Sequence, residues 1–180
     1  MKKKKEKKEV PLLKLDLGAG PHPKEGFQGV DIMEFPGVDN IIADLRKKWP
    51  WKDNSVEEAH CSHFIEHLLP AERIHFVNEL YRVLIPGGKC QVITPHWAST
   101  RAYGDLTHEW PPISEFFWYY LDKVWRAANA PHVPLTCDFV ATWGYNINPA
   151  FQVKNQEAQQ FGVTYYREVA QDTIATLTKK

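Results

Sequence analysis

The sequence has few cysteines and no long apolar run. Cys61, Cys90 and Cys137 lie far apart and form no C-x-x-C pair. This spacing excludes a disulfide framework and a zinc pattern, so we expect three buried thiols and a reducing compartment. No apolar run approaches the roughly 18 residues of a membrane-spanning helix, which predicts no membrane contact. The lysine-rich start lacks the apolar stretch of a secretory signal, which favours a cytoplasmic location.

The sequence also has no overall excess of one charge, but its charges are unevenly distributed. Residues 1–9 hold six lysines and two glutamates, and the remaining chain has 16 basic and 20 acidic residues, a net charge of −4. A body with this charge is a poor match for a nucleic-acid backbone, so a nucleic-acid partner is not expected. No internal repeat is present. We predict a disordered lysine-rich tail over 1–9 and one domain over 10–180.

An apolar stretch near the start of the chain is followed by two glycines. Residues 12–17 predict a buried strand of a parallel sheet. Gly18 and Gly20 then allow a sharp turn and a close approach to a ligand. The next apolar stretch, residues 27–32, contains Asp31, whose carboxylate can accept hydrogen bonds from both hydroxyls of a ribose. These features predict a site for an adenosine-containing cofactor at the carboxyl ends of two neighbouring strands.

The spacing in this stretch argues against a dinucleotide. Dinucleotide sites use G-x-G-x-x-G and seat the pyrophosphate at a helix amino terminus. Here Pro23 takes the place of the third glycine, and too few residues follow for a crossover helix. Asp31 also follows Gly18 more closely than a dinucleotide pattern requires. A cofactor without phosphate does not need that helix, and S-adenosylmethionine is such a cofactor.

Three motifs resemble the class I S-adenosylmethionine-dependent methyltransferases, and most closely the compact, type 11-like branch with a short or missing first helix. They are D-L-G-A-G at 16–20, D-N-S-V with H-x-x-E-H-L over 53–68, and a helix followed by L-x-P-G-G at 84–88. The resemblance covers 12–94 well and the carboxyl-terminal half only in its order of elements. It implies a Rossmann-like α/β fold with three αβα layers. Its sheet would have seven mostly parallel strands in the order 3-2-1-4-5-7-6, with the last strand antiparallel.

Periodicity locates the other elements. An amphipathic helix is predicted over 70–84, with Arg73 on its polar face. The remaining predictions are strands at 38–45, 55–61, 89–94, 136–145 and 172–178, and helices at 114–128 and 155–170, the latter capped by Asn155. Residues 95–112 lack periodicity, which is typical of a functional loop.

The resemblance implies a set of cofactor-binding residues. Asp16, Gly18 and Gly20 would shape the methionine end, Asp31 would bind the ribose, and Asp44 with Leu45 would flank the adenine. The full set is Asp16, Gly18, Ala19, Gly20, Asp31, Ile32, Asp44, Leu45, Ser62 and His63. In this family the residue just past the fourth strand lies beside the transferable methyl group. His63 is therefore the first candidate for the base that takes a proton from the acceptor, and His108 is the second.

The same segment includes candidate metal ligands. One helical turn would bring His63, Glu66 and His67 onto one face. This looks like the small-RNA ribose 2′-O-methyltransferases, in which a glutamate-histidine pair and a later histidine hold magnesium, although His63 stands where they have a carboxylate. Imidazole ligands suit zinc, manganese or iron better. Glu66, His67 and His108 are the candidate ligands. The alternative is that Glu66 and His67 only brace the loop, so a divalent metal is left open and is not predicted.

The sequence thus predicts an enzyme that moves a methyl group from S-adenosylmethionine to a nucleophile. Neither an N-P-P-Y-like segment nor P-C follows the fourth strand, and the acidic body favours a small molecule, a nucleotide or a sugar as acceptor. Two alternatives stay open: a catalytically inactive methyltransferase-like binding subunit, and a metal-assisted enzyme similar to the ribose 2′-O-methyltransferases. A nicotinamide-dependent oxidoreductase is disfavoured by Pro23. The sequence does not specify the oligomeric state.

Overall fold

The computed structural model describes residues 12–180, whose strands form one seven-stranded sheet. The strands are β1 Leu13–Leu17, β2 Gln28–Asp31, β3 Ile41–Ile42, β4 Val56–Ser62, β5 Leu84–Pro95, β6 Phe139–Ile147 and β7 Ala170–Lys179. The helices are α1 Pro70–Val83, α2 Arg101–Gly104, α3 Glu115–Tyr120, α4 Lys123–Asn129, α5 Pro149–Gln152 and α6 Gln156–Tyr165, and a 3-10 turn spans Ile65–His67. The tail predicted over 1–9 lies outside the described residues.

The strand order confirms the predicted sheet of a Rossmann-like α/β fold. The order is β3-β2-β1-β4-β5-β7-β6, in which β1 to β5 are parallel. Strand β7 runs antiparallel to both of its neighbours, β5 and β6. Since the chain order reverses between β1 and β4, a crevice opens at the carboxyl ends of these strands, where ligands bind in open α/β sheets.

One face of the sheet is apolar and carries the core. Leu15, Ala59, Cys90, Leu177 and Ala141 stand side by side across five strands. This row packs in one cluster with side chains of α1 and α3, among them Phe76, Leu80 and Trp118. Burial of this apolar surface is the main force that holds the helices to the sheet.

The opposite face of the sheet is polar. Asp16, His60, Gln91, Thr176 and Thr142 form the corresponding row across the same five strands. None of them belongs to the two apolar clusters found among residues 12–180, and all but Asp16 are at least partly exposed. A parallel sheet usually buries both faces under helices. In the described residues the larger apolar cluster, which includes side chains of α1 and α3, lies on the face of Leu15 and Cys90.

Several predicted boundaries are wrong, each for a local reason. The third strand, predicted over 38–45, comprises Ile41 and Ile42, the two residues that pair with β2 at the edge of the sheet. Strand β5 begins at Leu84, which pairs with Val56, so the proline-glycine segment falls inside the strand and not before it. The helix predicted over 114–128 is two helices, because the Asp122 side chain accepts the Trp125 N–H and starts a new one.

Other predictions hold. Asn155 caps α6 by accepting the Ala158 N–H at 2.9 Å, although the helix ends at Tyr165. All three cysteines are free and buried, and burial raises the pKa of Cys137 to about 11. Among residues 12–180, no helix has both the length and the apolar character that crossing a membrane requires.

Candidate functional site

The turn after β1 is held to the end of β2 by backbone hydrogen bonds. The N–H groups of Gly18 and Ala19 both donate to the Val30 carbonyl, at 2.9 and 3.1 Å. The Gly20 N–H donates to Oδ2 of Asp31 at 2.9 Å. The structure therefore brings together the glycine turn and the acidic residue that the sequence singled out.

The two glycines of this turn have different neighbours. Both adopt positive φ angles, 74° at Gly18 and 57° at Gly20, which side chains rarely tolerate. A Cβ atom at Gly18 would lie 2.4 Å from the Phe64 ring, whereas one at Gly20 would meet nothing within 4 Å. Phe64 thus occupies the space beside Gly18, and the side of Gly20 stays open to a ligand.

Gly18→Ala is expected to destabilise the fold by about 3 kcal/mol, because it adds a contact with Phe64 to the cost of the left-handed backbone. Gly37→Ala is the matched control, since Gly37 has a φ of 78° and open space around its missing Cβ. It should cost about 1–2 kcal/mol, the backbone term alone. Urea unfolding of both variants measures the difference. Equal losses would show that Phe64 does not constrain position 18.

Asp16 supports this turn from within the protein. It is 4% exposed. Its Oδ2 accepts the Lys24 N–H at 2.8 Å, and its Oδ1 lies 2.7 Å from Nδ1 of His60. Since both oxygens have partners inside the protein, Asp16 fixes the path of the loop at residues 20–24.

Four of the predicted cofactor residues line one cavity. Asp31, Ile32, Asp44 and Leu45 surround a volume of about 200 Å³ at the ends of β2 and β3. The other lining residues are Ala43, Arg46, Phe64, His67 and Leu68. Asp31 accepts the Met33 N–H on Oδ1 as well as the Gly20 N–H on Oδ2, and each oxygen retains a lone pair for a further donor.

Asp44 is held as an anion at the other side of this cavity. Arg46 donates to both of its oxygens, from Nε at 2.9 Å and from Nη2 at 3.2 Å. These hydrogen bonds lower the pKa of Asp44 to about 2. The carboxylate is therefore an acceptor at every physiological pH.

His63 follows β4 in an unusual backbone conformation. Its φ is 52°, and its N–H donates to the Ile93 carbonyl at 2.8 Å. A left-handed histidine costs roughly 1 kcal/mol or more, and such strain is concentrated at functional sites. Glu66, whose Oε1 lies 3.3 Å from Nδ1 of His63, raises the pKa of His63 above its usual 6.5, with a smaller contribution from Asp172.

Two buried carboxylates lie near His63, and each has one oxygen without a well-formed hydrogen bond in residues 12–180. Oε2 of Glu66 accepts from the Thr94 hydroxyl at 3.2 Å, but its Oε1 has no hydrogen bond of good geometry within residues 12–180. Oδ2 of Asp172 accepts from Arg101 and Asn146, and its Oδ1 likewise has no partner in the described chain. The sequence prediction missed Asp172, which is the third residue of β7, far along the chain.

The other predicted residues lie elsewhere on the same rim. Ser62 ends β4 directly before His63, and neither residue lines the 200 Å³ cavity. His108 packs against His67, with ring centroids 4.8 Å apart. The sequence prediction also missed Asn40, whose side-chain amide donates to the Gly20 carbonyl at 2.8 Å.

A buried arginine holds the loop that carries His108, and the prediction that Arg73 lies on a polar helix face is wrong. Arg73 is 4% exposed. It donates to the carbonyls of Ile65, Glu66, Glu109 and Pro111. Helical periodicity could not indicate this role, because the four acceptors are backbone atoms outside the helix.

Arg73→Lys is expected to lower the free energy of unfolding by about 3 kcal/mol. A lysine ammonium cannot reach all four carbonyls, and buried carbonyls without donors are costly. Arg167→Lys, at an exposed position, is the control and should change stability by less than about 0.5 kcal/mol. Urea unfolding measures both. A loss as small as that of the control would show that Arg73 does not hold the loop.

Comparison with known proteins agrees with this geometry. The strand order is the one implied by the resemblance to the class I S-adenosylmethionine-dependent methyltransferases, and a solved S-adenosylmethionine-dependent methyltransferase shares the fold. Residues 15–92 match the family model described as a methyltransferase domain. The resemblance to the class I S-adenosylmethionine-dependent methyltransferases that the motifs indicated is therefore confirmed. No curated protein matches the chain in sequence.

Solved structures share the fold at low sequence identity. An S-adenosylmethionine-dependent methyltransferase from Archaeoglobus fulgidus is 17% identical with a TM-score of 0.67, over 93% of this chain and 86% of that one. Geranyl diphosphate C-methyltransferase from Streptomyces coelicolor A3(2) is 14% identical with a TM-score of 0.57, over 94% and 71%. The [4+2]-cyclase SpnF is 15% identical with a TM-score of 0.54, over 93% and 74%. Because the fold also includes a cyclase, the fold alone does not establish the reaction.

Proposed function

We propose that this protein transfers a methyl group from S-adenosylmethionine to a hydroxyl or amine of a small molecule, a nucleotide or a sugar. The observation that carries the proposal is the Asp31 carboxylate, which has free acceptor capacity beside the open Gly20 turn. This arrangement suits S-adenosylmethionine, with its ribose at Asp31 and its methionine part along the turn at Gly20. The acceptor class rests on the net charge of −4 outside residues 1–9.

In this proposal the cofactor lies across the rim of the sheet. Asp31 accepts hydrogen bonds from the two ribose hydroxyls. The adenine enters the 200 Å³ cavity between Ile32 and Leu45, where Asp44 accepts a hydrogen bond from its amino group. The methionine part follows Ala19 and Gly20 toward Ser62 and His63. In the described chain no helix lies between β1 and β2, which fits a cofactor without phosphate.

His63 serves as the base in this proposal. The acceptor oxygen or nitrogen attacks the methyl carbon, the bond between that carbon and sulfur breaks, and S-adenosylhomocysteine leaves. The acceptor proton moves to the neutral imidazole of His63. Glu66 stabilises the imidazolium that forms, since its carboxylate lies 3.3 Å from Nδ1. Positioning of donor and acceptor supplies the remaining acceleration.

Thermal unfolding with candidate ligands tests the assignment. S-adenosylhomocysteine at 100 times its dissociation constant should stabilise the protein by about 2.7 kcal/mol, whereas NAD at the same concentration should not. Protection by NAD alone, or by neither ligand, would overturn the cofactor assignment. Protection by S-adenosylhomocysteine without product formation on panels of small molecules, nucleotides and sugars would favour the inactive binding subunit instead.

The rate of methyl transfer should rise with pH through a pKa above 6.5, because His63 acts as a base only when neutral and its pKa is raised. Glu66→Gln removes the main cause of that raised pKa, so the ascending limb should move to lower pH. Rate–pH profiles of the wild type and of Glu66→Gln measure the shift. Glu157→Gln, on the exposed surface of α6, is the control. A limb that stays in place would exclude the interaction between Glu66 and His63.

A further inference from the structure

Three metal-ligating side chains converge beside the proposed cofactor cavity. One ligand atom from each of Glu66, His67 and His108 lies within 4.8 Å of the others. Ligand atoms around a first-row metal ion lie about 3 to 3.5 Å apart, given bonds of about 2.0–2.2 Å. Small side-chain rotations therefore bring the three atoms to coordination distance.

Hydrogen bonds fix the tautomer of His67. The Thr107 hydroxyl lies 2.7 Å from Oδ1 of Asp105 and 2.9 Å from Nδ1 of His67. Because an ionised carboxylate only accepts, the hydroxyl donates its proton to Asp105 and accepts from the Nδ1–H of His67. The Nε2 atom of a neutral His67 is left with its lone pair available for a metal ion.

His108 is fixed in the same tautomer by a different partner. Its Nδ1 lies 3.2 Å from the Ala102 carbonyl, which can only accept, so the proton lies on Nδ1. Metal-binding histidines commonly donate their second ring N–H to a carbonyl or a hydroxyl. Both imidazoles of the cluster show this arrangement.

The third ligand is a buried carboxylate oxygen. Glu66 is 4% exposed, and its Oε1 has no hydrogen bond of good geometry within residues 12–180. The 3.3 Å contact from Nδ1 of His63 compensates this oxygen only in part, and a buried carboxylate oxygen without a full partner is costly. A cation at this position would remove that cost.

We propose that Glu66, His67 and His108 bind a divalent first-row transition metal ion such as zinc or manganese. Two imidazole nitrogens and one carboxylate suit these ions better than magnesium, which prefers oxygen ligands. The ion joins the turn after β4 to the loop at residues 105–109, which Arg73 and the bond from the Glu109 N–H to the Glu66 carbonyl also hold. Because Glu66 also contacts His63, which acts in the proposed methyl transfer, metal binding is tested without any substrate.

Equilibrium dialysis against Zn²⁺ and Mn²⁺, followed by metal analysis, tests the site without any substrate. The wild type should bind one equivalent of at least one of these ions, and Mg²⁺ at the same concentration should not bind. His108→Asn should abolish binding. Thr107→Val, which removes the hydroxyl that holds His67, should weaken binding about tenfold or more. His132→Asn, at an exposed position away from the cluster, is the matched control.

Cobalt provides a second readout that does not depend on stability. Co²⁺ bound by imidazole nitrogen gives visible absorption bands, which should appear in the wild type and in His132→Asn and disappear in His108→Asn. The proposal is overturned if the wild type binds none of these ions, if Mg²⁺ alone binds, or if His108→Asn binds as well as the wild type. If His108→Asn is unfolded by circular dichroism, Thr107→Val decides, and unchanged binding in that variant overturns the proposal.

Discussion

Asp31→Ala is expected to weaken the binding of S-adenosylhomocysteine at least 100-fold. The carboxylate would accept hydrogen bonds from two ribose hydroxyls. Each hydrogen bond to a charged acceptor contributes about 1.5–3 kcal/mol to the binding free energy. The loss of about 3 kcal/mol corresponds to more than a hundredfold change in affinity. Isothermal titration calorimetry measures this directly, because it needs no acceptor.

Two further variants separate the ribose contacts from the shape of the turn. Asp31 also accepts the N–H groups of Gly20 and Met33, so its removal affects the protein as well as the ligand. Asp31→Asn keeps one acceptor oxygen and should show an intermediate affinity. Asp39→Ala, at an exposed position in the next loop, should bind like the wild type. Unchanged affinity in a folded Asp31→Ala would refute the ribose assignment.

His63→Asn is expected to lower turnover about 10²- to 10⁴-fold while cofactor affinity stays within about twofold of the wild type. Asparagine is the appropriate replacement, because it tolerates the left-handed backbone at this position better than alanine does. The measurement combines calorimetric binding of S-adenosylhomocysteine with its rate of formation from S-adenosylmethionine and an acceptor.

Measuring both cofactor binding and turnover of His63→Asn separates loss of the base from loss of the whole site. A variant that has lost both binding and turnover has lost the site, whereas one that retains binding and loses turnover has lost the base. His132→Asn makes the same substitution at an exposed position and should retain both properties. Full turnover in His63→Asn would remove this residue from the mechanism.

Local chemistry at strand ends made part of the candidate site predictable. Asp31, Ile32, Asp44 and Leu45 follow short apolar segments, and parallel strands place their carboxyl ends at one edge. The strand order came from the resemblance of the motifs to the methyltransferases. Neither inference required knowledge of distant contacts.

The residues that sequence reasoning missed depend on such distant contacts. Asp172 lies near His63 through the pairing of β7 with β5, and Arg73 is buried because backbone carbonyls of two separate segments surround it. The break between α3 and α4 was missed because Asp122 lies within a run of residues that otherwise suits a helix. A hydrophobic pattern reports burial of apolar groups and does not report hydrogen bonds between remote segments.

The polar row across the sheet contains a position that suits site-specific labelling. Gln91 lies at the centre of β5 on a strand hydrogen-bonded on both sides, yet its side chain is partly exposed. The three native thiols are buried and therefore shielded from thiol reagents. A cysteine introduced at Gln91 would carry a fluorophore or spin label on a rigid backbone, so that movement of the rim loops can be followed as a distance from a fixed point.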